Sequence, residues 1–328
     1  MMKRIMAIIA LVVICSLFNV SKAEKTELSV GAWIVYWDME KGISEWQETR
    51  YGYEDISFFG AYFDEDEHLF VPQDFMEFIK RQPTRQKYFT VVNDVVRGEK
   101  TVFKDTKVLR EALSSAKKRE RHAEEIIALT KEAKCKGIDL DYEKVFRDEK
   151  TAELYLDFVE ILAKKAAAEN LQLRVILEPN VDFAKYEFPQ GPMYVVMLYN
   201  LYGTHSKVDG PKADFAFIEK TIDKMQYLPL NRGVAFSTGG CRWSEEKNPK
   251  FISAQQAESL AKQYKKTPER KADSGALYFS YEDKNKTEYK VWYADKQTIS
   301  GWIDKVKELG IKNVILWRLG DNEAIYDF

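Results

Sequence analysis

The sequence has little of what builds a disulfide scaffold or a zinc centre. It contains three cysteines and three histidines among 328 residues. No Cys-x-x-Cys pair occurs, and His68, His122 and His205 lie far apart along the chain. Neither a disulfide framework nor a zinc site is therefore expected, and the sequence predicts no metal and no cofactor.

The charge balance also argues against one class of partner. The formal net charge is −2, and basic and acidic residues are interleaved, so nucleic acid is not an expected partner. The apolar share of 45% supports a sizeable core, and 328 residues are enough for one large α/β barrel or two ordinary domains.

Only one long apolar run is evident, and it lies at the amino terminus. Residues 1–4 supply positive charge, residues 5–18 form the apolar run, and residues 21–23 read Ser-Lys-Ala. This order is typical of a signal peptide cleaved after Ala23, because the run is shorter than the roughly 20 residues of a spanning helix. We therefore predict a signal peptide over 1–23, a catalytic barrel over 24–328, and a secreted or periplasmic protein that leaves the membrane after cleavage.

Two cysteines remain after that cleavage. Cys135 and Cys241 could pair in an oxidising compartment, although two cysteines do not make a disulfide framework. Two buried free thiols are the default expectation.

Acidic and large apolar residues alternate over residues 137–143, Gly-Ile-Asp-Leu-Asp-Tyr-Glu. On a β-strand, Asp139, Asp141 and Glu143 would share one face. Carboxylates about 6.6 Å apart repel by roughly 2.5 kcal/mol at an effective dielectric of about 20, so at least one should keep a proton near neutral pH. A protonated carboxyl group beside ionised ones is suited to general acid catalysis of glycosidic bond cleavage.

The same alternation also describes an amphipathic surface strand, and the flanking sequence decides between the two interpretations. Apolar residues recur at helical spacing over Arg119–Lys134 and Asp148–Glu169. A strand between two helices is usually parallel and is covered on its outer face by those helices. Ile138, Leu140 and Tyr142 should then pack beneath the helices, so the acids should face an interior site.

Strands and helices alternate along the rest of the chain. Further helices are predicted at Asp74–Arg81, Asp214–Tyr227 and Lys296–Leu309. The eight predicted strands, in chain order, are Ala32–Trp37, Asp55–Phe63, Lys87–Val96, Gly137–Glu143, Leu173–Leu177, Tyr194–Asn200, Asn231–Gly239 and Lys312–Trp317. Gly275–Tyr281 and Tyr289–Tyr293 flank a polar turn and predict an inserted hairpin.

This order predicts an α/β fold, a single (β/α)₈ TIM barrel with a small hairpin insertion between strands 7 and 8. The chain shows neither a low-complexity linker nor a repeat of fixed period that would favour another architecture. Reactive groups in this fold come from the carboxyl ends of the strands. Glu143, Asn200 and Trp317 occupy such ends.

Three segments at these ends resemble motifs of family 18 glycoside hydrolases, the chitinase-like enzymes. Residues 136–143, Lys-Gly-Ile-Asp-Leu-Asp-Tyr-Glu, resemble the family's Asp-Gly-x-Asp-x-Asp-x-Glu on the fourth strand. Residues 197–200, Met-Leu-Tyr-Asn, are similar to Met-x-Tyr-Asp/Asn on the sixth. Residues 316–320, Leu-Trp-Arg-Leu-Gly, resemble the tryptophan-containing end of the eighth strand, most of all in the branch of spore-cortex and cell-wall lytic enzymes.

The resemblance implies a catalytic role for four residues. Glu143 would protonate the leaving glycosidic oxygen while the substrate's own N-acetyl carbonyl attacks the anomeric carbon, so no second carboxylate nucleophile is needed. Asp141 would orient the acetamido group, and Asp139 would hold Asp141 through a hydrogen bond. Tyr199 would donate a hydrogen bond to the acetamido oxygen.

Three further residues would bind the substrate if the resemblance holds. Trp317 would form the floor of a sugar subsite, and Asn200 would hydrogen-bond the sugar or the acid. Met197 is the third of these residues, although a packing role explains this methionine better than a chemical one. Trp317 and Tyr199 could also be barrel core.

Two positions depart from the family pattern. Lys136 replaces the first aspartate of the fourth-strand motif, which suggests altered support for the strand rather than lost activity. The third strand, Phe89–Asp94, lacks the Ser-x-Gly-Gly of many chitinases, which argues against crystalline chitin as the substrate.

The resulting hypothesis is a secreted, retaining endo-β-N-acetylglucosaminidase. Its expected partner is a glycan containing N-acetylglucosamine, either chitin-like oligosaccharides or peptidoglycan, with N-glycan cores as a third candidate, and a monomer is expected. One alternative is a non-catalytic, lectin-like protein on the same barrel, although such relatives usually lose the acid. A metal-dependent hydrolase that uses the carboxylate cluster is another.

Overall fold

The structure, a computed structural model, describes residues 28–49, 52–82, 86–98, 100–244, 248–320 and 322. The predicted signal peptide lies outside these residues, so its prediction stays open. None of the helices in the described ranges is long and apolar enough to span a bilayer.

Eight parallel strands close into a barrel, as the sequence predicts. Each barrel strand pairs with its neighbours in parallel register, and the last strand pairs with the first. The barrel strands are β1 (Ser29–Val35), β2 (Ile56–Phe63), β4 (Lys87–Arg97), β6 (Gly137–Asp141), β7 (Gln172–Leu177), β8 (Met193–Met197), β9 (Arg232–Ser237) and β15 (Asn313–Trp317). Two short strands, β3 (Leu69–Phe70) and β5 (Lys100–Val102), extend this sheet by antiparallel pairing.

Helices connect the strands, and several begin at an acidic or hydroxyl side chain that accepts a hydrogen bond from the first turn. The helices are α1 (Met39–Glu48), α2 (Gln73–Arg81), α3 (Thr106–Ala112), α4 (Ala116–Glu132), α5 (Glu149–Ala168), α6 (Phe215–Lys224), α7 (Ala254–Gln263) and α8 (Lys296–Glu308). Ser115 caps α4 and Asp148 caps α5 in this way. These two helices flank β6, so the predicted helix–strand–helix arrangement around the acidic stretch is confirmed.

The two faces of β6 separate as the alternation predicts. Ile138, Leu140 and Tyr142 belong to the large core between strands and helices. A second, smaller apolar group fills the barrel interior and includes Met197 and Tyr199, with Trp317 packed against it. Asp139 is completely buried on the interior side.

The insertion before the last strand is larger than the predicted hairpin. The hairpin itself exists as β13 (Leu277–Glu282) and β14 (Glu288–Ala294), but it belongs to a five-stranded antiparallel sheet. The added strands are β10 (Gly239–Trp243), β11 (Lys250–Ile252) and β12 (Glu269–Arg270), and α7 lies between β11 and β12. Sequence patterns missed these strands because two to five residues are too few to establish a period.

Three further details refine the sequence predictions. The first strand ends at Val35, and Tyr36–Asp38 form a 3₁₀ turn. The sixth strand ends at Met197, so Tyr199 and Asn200 follow it. Cys135 and Cys241 are both buried and free, which agrees with the prediction of two buried free thiols.

Candidate active site

Asp139 is fixed at the bottom of the site by an arginine on the neighbouring strand. The register places Asp139 of β6 beside Arg174 of β7. Arg174 Nε donates to Asp139 Oδ1 at 2.6 Å and its Nη2 to Oδ2 at 3.0 Å, and Thr90 Oγ1 lies 3.3 Å from Oδ2. Arg174 thus pairs with both carboxylate oxygens of Asp139, and the hydrogen bond that the resemblance implies between Asp139 and Asp141 stays a prediction.

Asp141 has a buried carboxyl oxygen, Oδ1, to which the described residues make no hydrogen bond. Burial, followed by the nearby charge of Glu143, raises the pKa of Asp141 well above its usual range. Because the protein offers this carboxyl no ion pair in the described ranges, the shift favours its protonated form, and the group can engage a polar group of a ligand.

Glu143 lies two residues further, after the strand has ended, and its backbone is held from both sides. The Glu143 N–H donates to Asn93 Oδ1 at 2.9 Å, and Asn93 Nδ2 donates to the Glu143 carbonyl at 3.1 Å. Asn93 belongs to β4, the adjacent barrel strand. A single amide thus aligns the glutamate with the strand beside it.

The Glu143 side chain forms a salt bridge with Lys104 Nζ. Lys104 follows β5 with a left-handed backbone (φ 57°), and its N–H donates to Asp94 Oδ1 at 2.8 Å. Burial raises the pKa of Glu143, while Lys104 opposes that rise and Glu178 and Asp94 reinforce it. Burial therefore favours the protonated form of Glu143, whereas the charge of Lys104 favours its ionised form.

The acids open into a cavity of about 760 Å³ at the carboxyl ends of the strands. Six of the seven predicted site residues line it, all but Asp139, and they are Asp141, Glu143, Met197, Tyr199, Asn200 and Trp317. Glu143 follows the fourth barrel strand and Trp317 ends the eighth, which lie on opposite sides of an eight-stranded ring. The carboxyl group and the indole ring thus face the same space from opposite walls.

Aromatic rings support the wall opposite Glu143. Phe59 and Trp33 contact the Trp317 ring edge-on, with centroids 5.0 and 5.9 Å away. Tyr199 is buried in the barrel mouth, and burial raises its pKa, as do the charges of Asp141 and Glu143. Its hydroxyl therefore stays protonated and can donate a hydrogen bond.

A smaller cavity of about 360 Å³ lies beside the first. Both are lined by Trp37, Asn200, Phe251 and Trp317. Phe251 belongs to β11 of the insertion. The insertion therefore supplies part of the rim that joins the two cavities.

A model of one family matches most of this chain. Its description is "Glycosyl hydrolases family 18", and it matches residues 75–322, which include all seven predicted site residues. The chain belongs to glycosyl hydrolase family 18. The predictions of a family 18 barrel and of a glycoside hydrolase are thus confirmed at the level of the family.

Relatives of this family 18 chain agree with that assignment. A protein of Bacillus subtilis (strain 168), "Uncharacterized glycosylase YvbX", is 22% identical over 229 residues, which are 65% of this chain and 66%, just under two thirds, of the relative. The spore cortex-lytic enzyme SleL of Bacillus cereus superposes with a TM-score of 0.78 at 16% identity, covering 92% of this chain and 72% of that one. A chitinase from Chromobacterium violaceum gives 0.75 at 15% identity, covering 91% and 96%.

The sequence did not identify four residues that shape this family 18 site. Asn93 and Arg174 lie on barrel strands beside the acidic one, and their polar side chains within otherwise apolar strands were an available signal. Lys104 and Lys212 lie outside the barrel strands, in segments where no hydrophobic period marks a side chain as inward. Their positions follow from the tertiary structure.

Proposed function

We propose that this family 18 member is an exported, retaining endo-β-N-acetylglucosaminidase that acts on chitin-like oligosaccharides or peptidoglycan. One observation carries the proposal: Asp141, Glu143 and Tyr199 line a single cavity whose opposite wall is Trp317. A proton donor, a polar pair for an acetamido group and an aromatic floor are what substrate-assisted cleavage beside an N-acetyl sugar requires.

The chemistry begins with the sugar lying against Trp317 and its acetamido group between Asp141 and Tyr199. Once Lys104 has moved away, Glu143 takes up a proton, and it gives this proton to the glycosidic oxygen as the acetamido carbonyl oxygen attacks the anomeric carbon, so the bond to the leaving sugar breaks while a cyclic oxazolinium forms. Asp141 accepts a hydrogen bond from the acetamido N–H, and Tyr199 donates one to the carbonyl oxygen. Water activated by the Glu143 carboxylate then opens the ring, and two inversions leave the configuration retained.

Lys104 sets a condition that must be met before Glu143 can donate its proton. Its salt bridge stabilises the ionised form of Glu143, so the ammonium must move away before the glutamate can act as an acid. A sugar that enters the cavity excludes water from Glu143, which raises its pKa further. Substrate binding thereby prepares the acid.

The expected location and substrate range have separate support. The amino-terminal sequence favours export to a secreted or periplasmic location. Two adjoining cavities can hold more than one sugar, which favours a polymer chain over a single terminal residue. We also propose that the enzyme acts as a monomer.

Product analysis with two polymers tests the function. The protein lacking residues 1–23 is incubated with chitotetraose and, separately, with purified peptidoglycan, and products are analysed by mass spectrometry beside the Glu143→Gln variant. New reducing N-acetylglucosamine ends, absent with the variant, are expected from at least one polymer. Binding to both polymers without cleavage of either would instead favour the lectin-like alternative.

A further inference from the structure

Lys212 is a buried cation without an acidic partner in the part of the chain that the structure describes. Its residue is 7% exposed, and its Nζ donates to Ser237 Oγ at 2.9 Å and lies 4.5 Å from the centre of the Phe251 ring. An ammonium has three donors, and the described residues offer an acceptor to one of them. A buried cation left in this state costs stability, so a ligand is the natural source of its missing partner.

The smaller cavity is where such a ligand would bind. Lys212 and Ser237 line it together with Trp317 and Asn200, whereas Asp141 and Glu143 line only the larger one. A glycan that runs through both cavities therefore has its scissile bond near Glu143. The sugar beside Lys212 is then the one that precedes the sugar bound against Trp317, on the side away from the leaving group.

The other charged groups of the smaller cavity do not satisfy Lys212. Asp38 is the carboxylate among its described lining residues, and it accepts from Arg318 Nη1 at 2.8 Å and lies 4.0 Å from Lys41 Nζ. Burial lowers the pKa of Lys212 to about 8, so the ammonium form still predominates at pH 7. The cavity thus presents a positive group to its contents.

We propose that Lys212 binds a free carboxylate on the sugar that precedes the N-acetylglucosamine bound at Trp317, as on the lactyl group of N-acetylmuramic acid in peptide-free peptidoglycan strands. The inference rests on the proposed function and narrows its substrate class. Chitin carries only a neutral hydroxyl at that position, and a stem peptide converts the lactyl carboxylate into a neutral amide. Lys212 therefore selects strands from which the peptides have been removed.

A matched pair of substrates isolates the carboxylate. One is the peptide-free tetrasaccharide of alternating N-acetylglucosamine and N-acetylmuramic acid, and the other is the same molecule with its carboxylates converted to methylamides. The wild-type enzyme should prefer the carboxylate form by roughly tenfold or more in kcat/KM, since a hydrogen bond to a charged group contributes about 1.5–3 kcal/mol. The difference should appear in KM, because Lys212 does not contact the reacting atoms.

Two variants and one control assign the preference to Lys212. Lys212→Met should abolish it, and Lys212→Gln, which keeps a donor but no charge, should abolish most of it. Lys207→Met changes an exposed lysine of the same loop and should preserve the full preference. An unchanged preference in both Lys212 variants would overturn the inference, as would a wild-type ratio near one.

A stability measurement separates ligand binding from a structural role. A lysine kept for a ligand should cost the free protein stability, so Lys212→Met should raise the urea midpoint, whereas a lysine that supports the fold should lower it. Cleavage of chitotetraose by the wild type without a carboxylate preference would overturn the inference alone. Failure to cleave any of the three substrates would overturn the proposed function and the inference with it.

Discussion

Among the residues of the site, Glu143 is contacted by the protein at both its backbone and its side chain. Asn93 fixes its backbone from the neighbouring strand, and Lys104 contacts its carboxylate. The backbone of Asp141 pairs with Val92 of β4, but its Oδ1 has no hydrogen-bond partner in the described ranges. Glu143 thus has a charged partner in the protein, whereas Asp141 has an oxygen that a ligand can use. The contacts of Glu143 lead to two predictions.

Replacing Glu143 with glutamine should remove the proton donor while it preserves the shape of the site. We expect kcat to fall by about 10²- to 10⁴-fold, the usual contribution of a general acid, with chitotetraose binding retained. Initial rates and titration calorimetry measure the two quantities. Glu153→Gln, on the exposed side of α5, is the matched control and should retain the full rate.

Replacing Lys104 with methionine should shift the pH profile of kcat/KM. The ammonium stabilises the ionised form of Glu143, so its removal should raise the pKa of that glutamate and keep the acid protonated to higher pH. Asp94, Asp141 and Glu178 also face Glu143 and would act in the same direction once the cation is gone. The alkaline limb should therefore move upward.

The matched control for this change is Lys107→Met, on the first turn of α3. Its pH profile should coincide with that of the wild type. An alkaline limb that stays in place in Lys104→Met, or moves downward, would mean that Lys104 does not set the protonation of Glu143.

The sequence predicts the acids far better than it predicts their partners. The strict alternation of side chains along a strand predicts that Asp139, Asp141 and Glu143 share one face. Lys104 approaches Glu143 from 39 positions earlier in the chain, through a turn whose direction no periodic pattern encodes. The positive charge beside Glu143 could therefore not be predicted from the sequence and is seen only in the structure.

At the scale of elements, the buried network around Arg174 on β7 ties four barrel strands together. Besides Asp139 on β6, its guanidinium donates to Asp55 Oδ1 at 2.8 Å, just before β2, and to Ser57 Oγ of β2 at 2.6 Å. The ring of Tyr88 on β4 lies 3.4 Å from the guanidinium carbon. The acidic strand β6 is thus held in register by a residue that lines neither of the two cavities.

Arg174→Met should destabilise the barrel strongly. The substitution leaves the fully buried Asp139 carboxylate without its counter-ion, a situation that costs about 3–5 kcal/mol in other proteins. Urea unfolding at pH 7 measures the loss. Arg121→Met, on the exposed face of α4, should change the free energy of unfolding by no more than about 0.5 kcal/mol, and an equally small effect at Arg174 would show that the network is dispensable.

Elements with a clear period were predicted well, and elements without one were not. The barrel strands and the long helices α4, α5 and α8 agree with their predicted ranges to within a few residues, because each buries a whole face. Strands β10, β11 and β12 of the insertion span only two to five residues each, so only the hairpin β13–β14 can be predicted from the sequence. The insertion nevertheless matters, since Phe251 links the two cavities.

For the whole molecule, barrel closure is what converts separate motifs into one site. The fourth-strand, sixth-strand and eighth-strand motifs are distant in sequence and meet only because β15 pairs with β1. The predicted fold already implied that meeting. Export and the monomeric state remain predictions. Cleavage of a substrate tests the roles of the site residues together with the barrel that brings them into one cavity.

Proton NMR of chitotetraose hydrolysis gives the most direct test of substrate-assisted catalysis at Glu143. The spectrum is recorded within minutes of adding the protein, before mutarotation mixes the anomers. The mechanism predicts that the new reducing end appears first as the β-anomer and that Glu143→Gln gives none. First appearance of the α-anomer, or equal product from the variant, would contradict it.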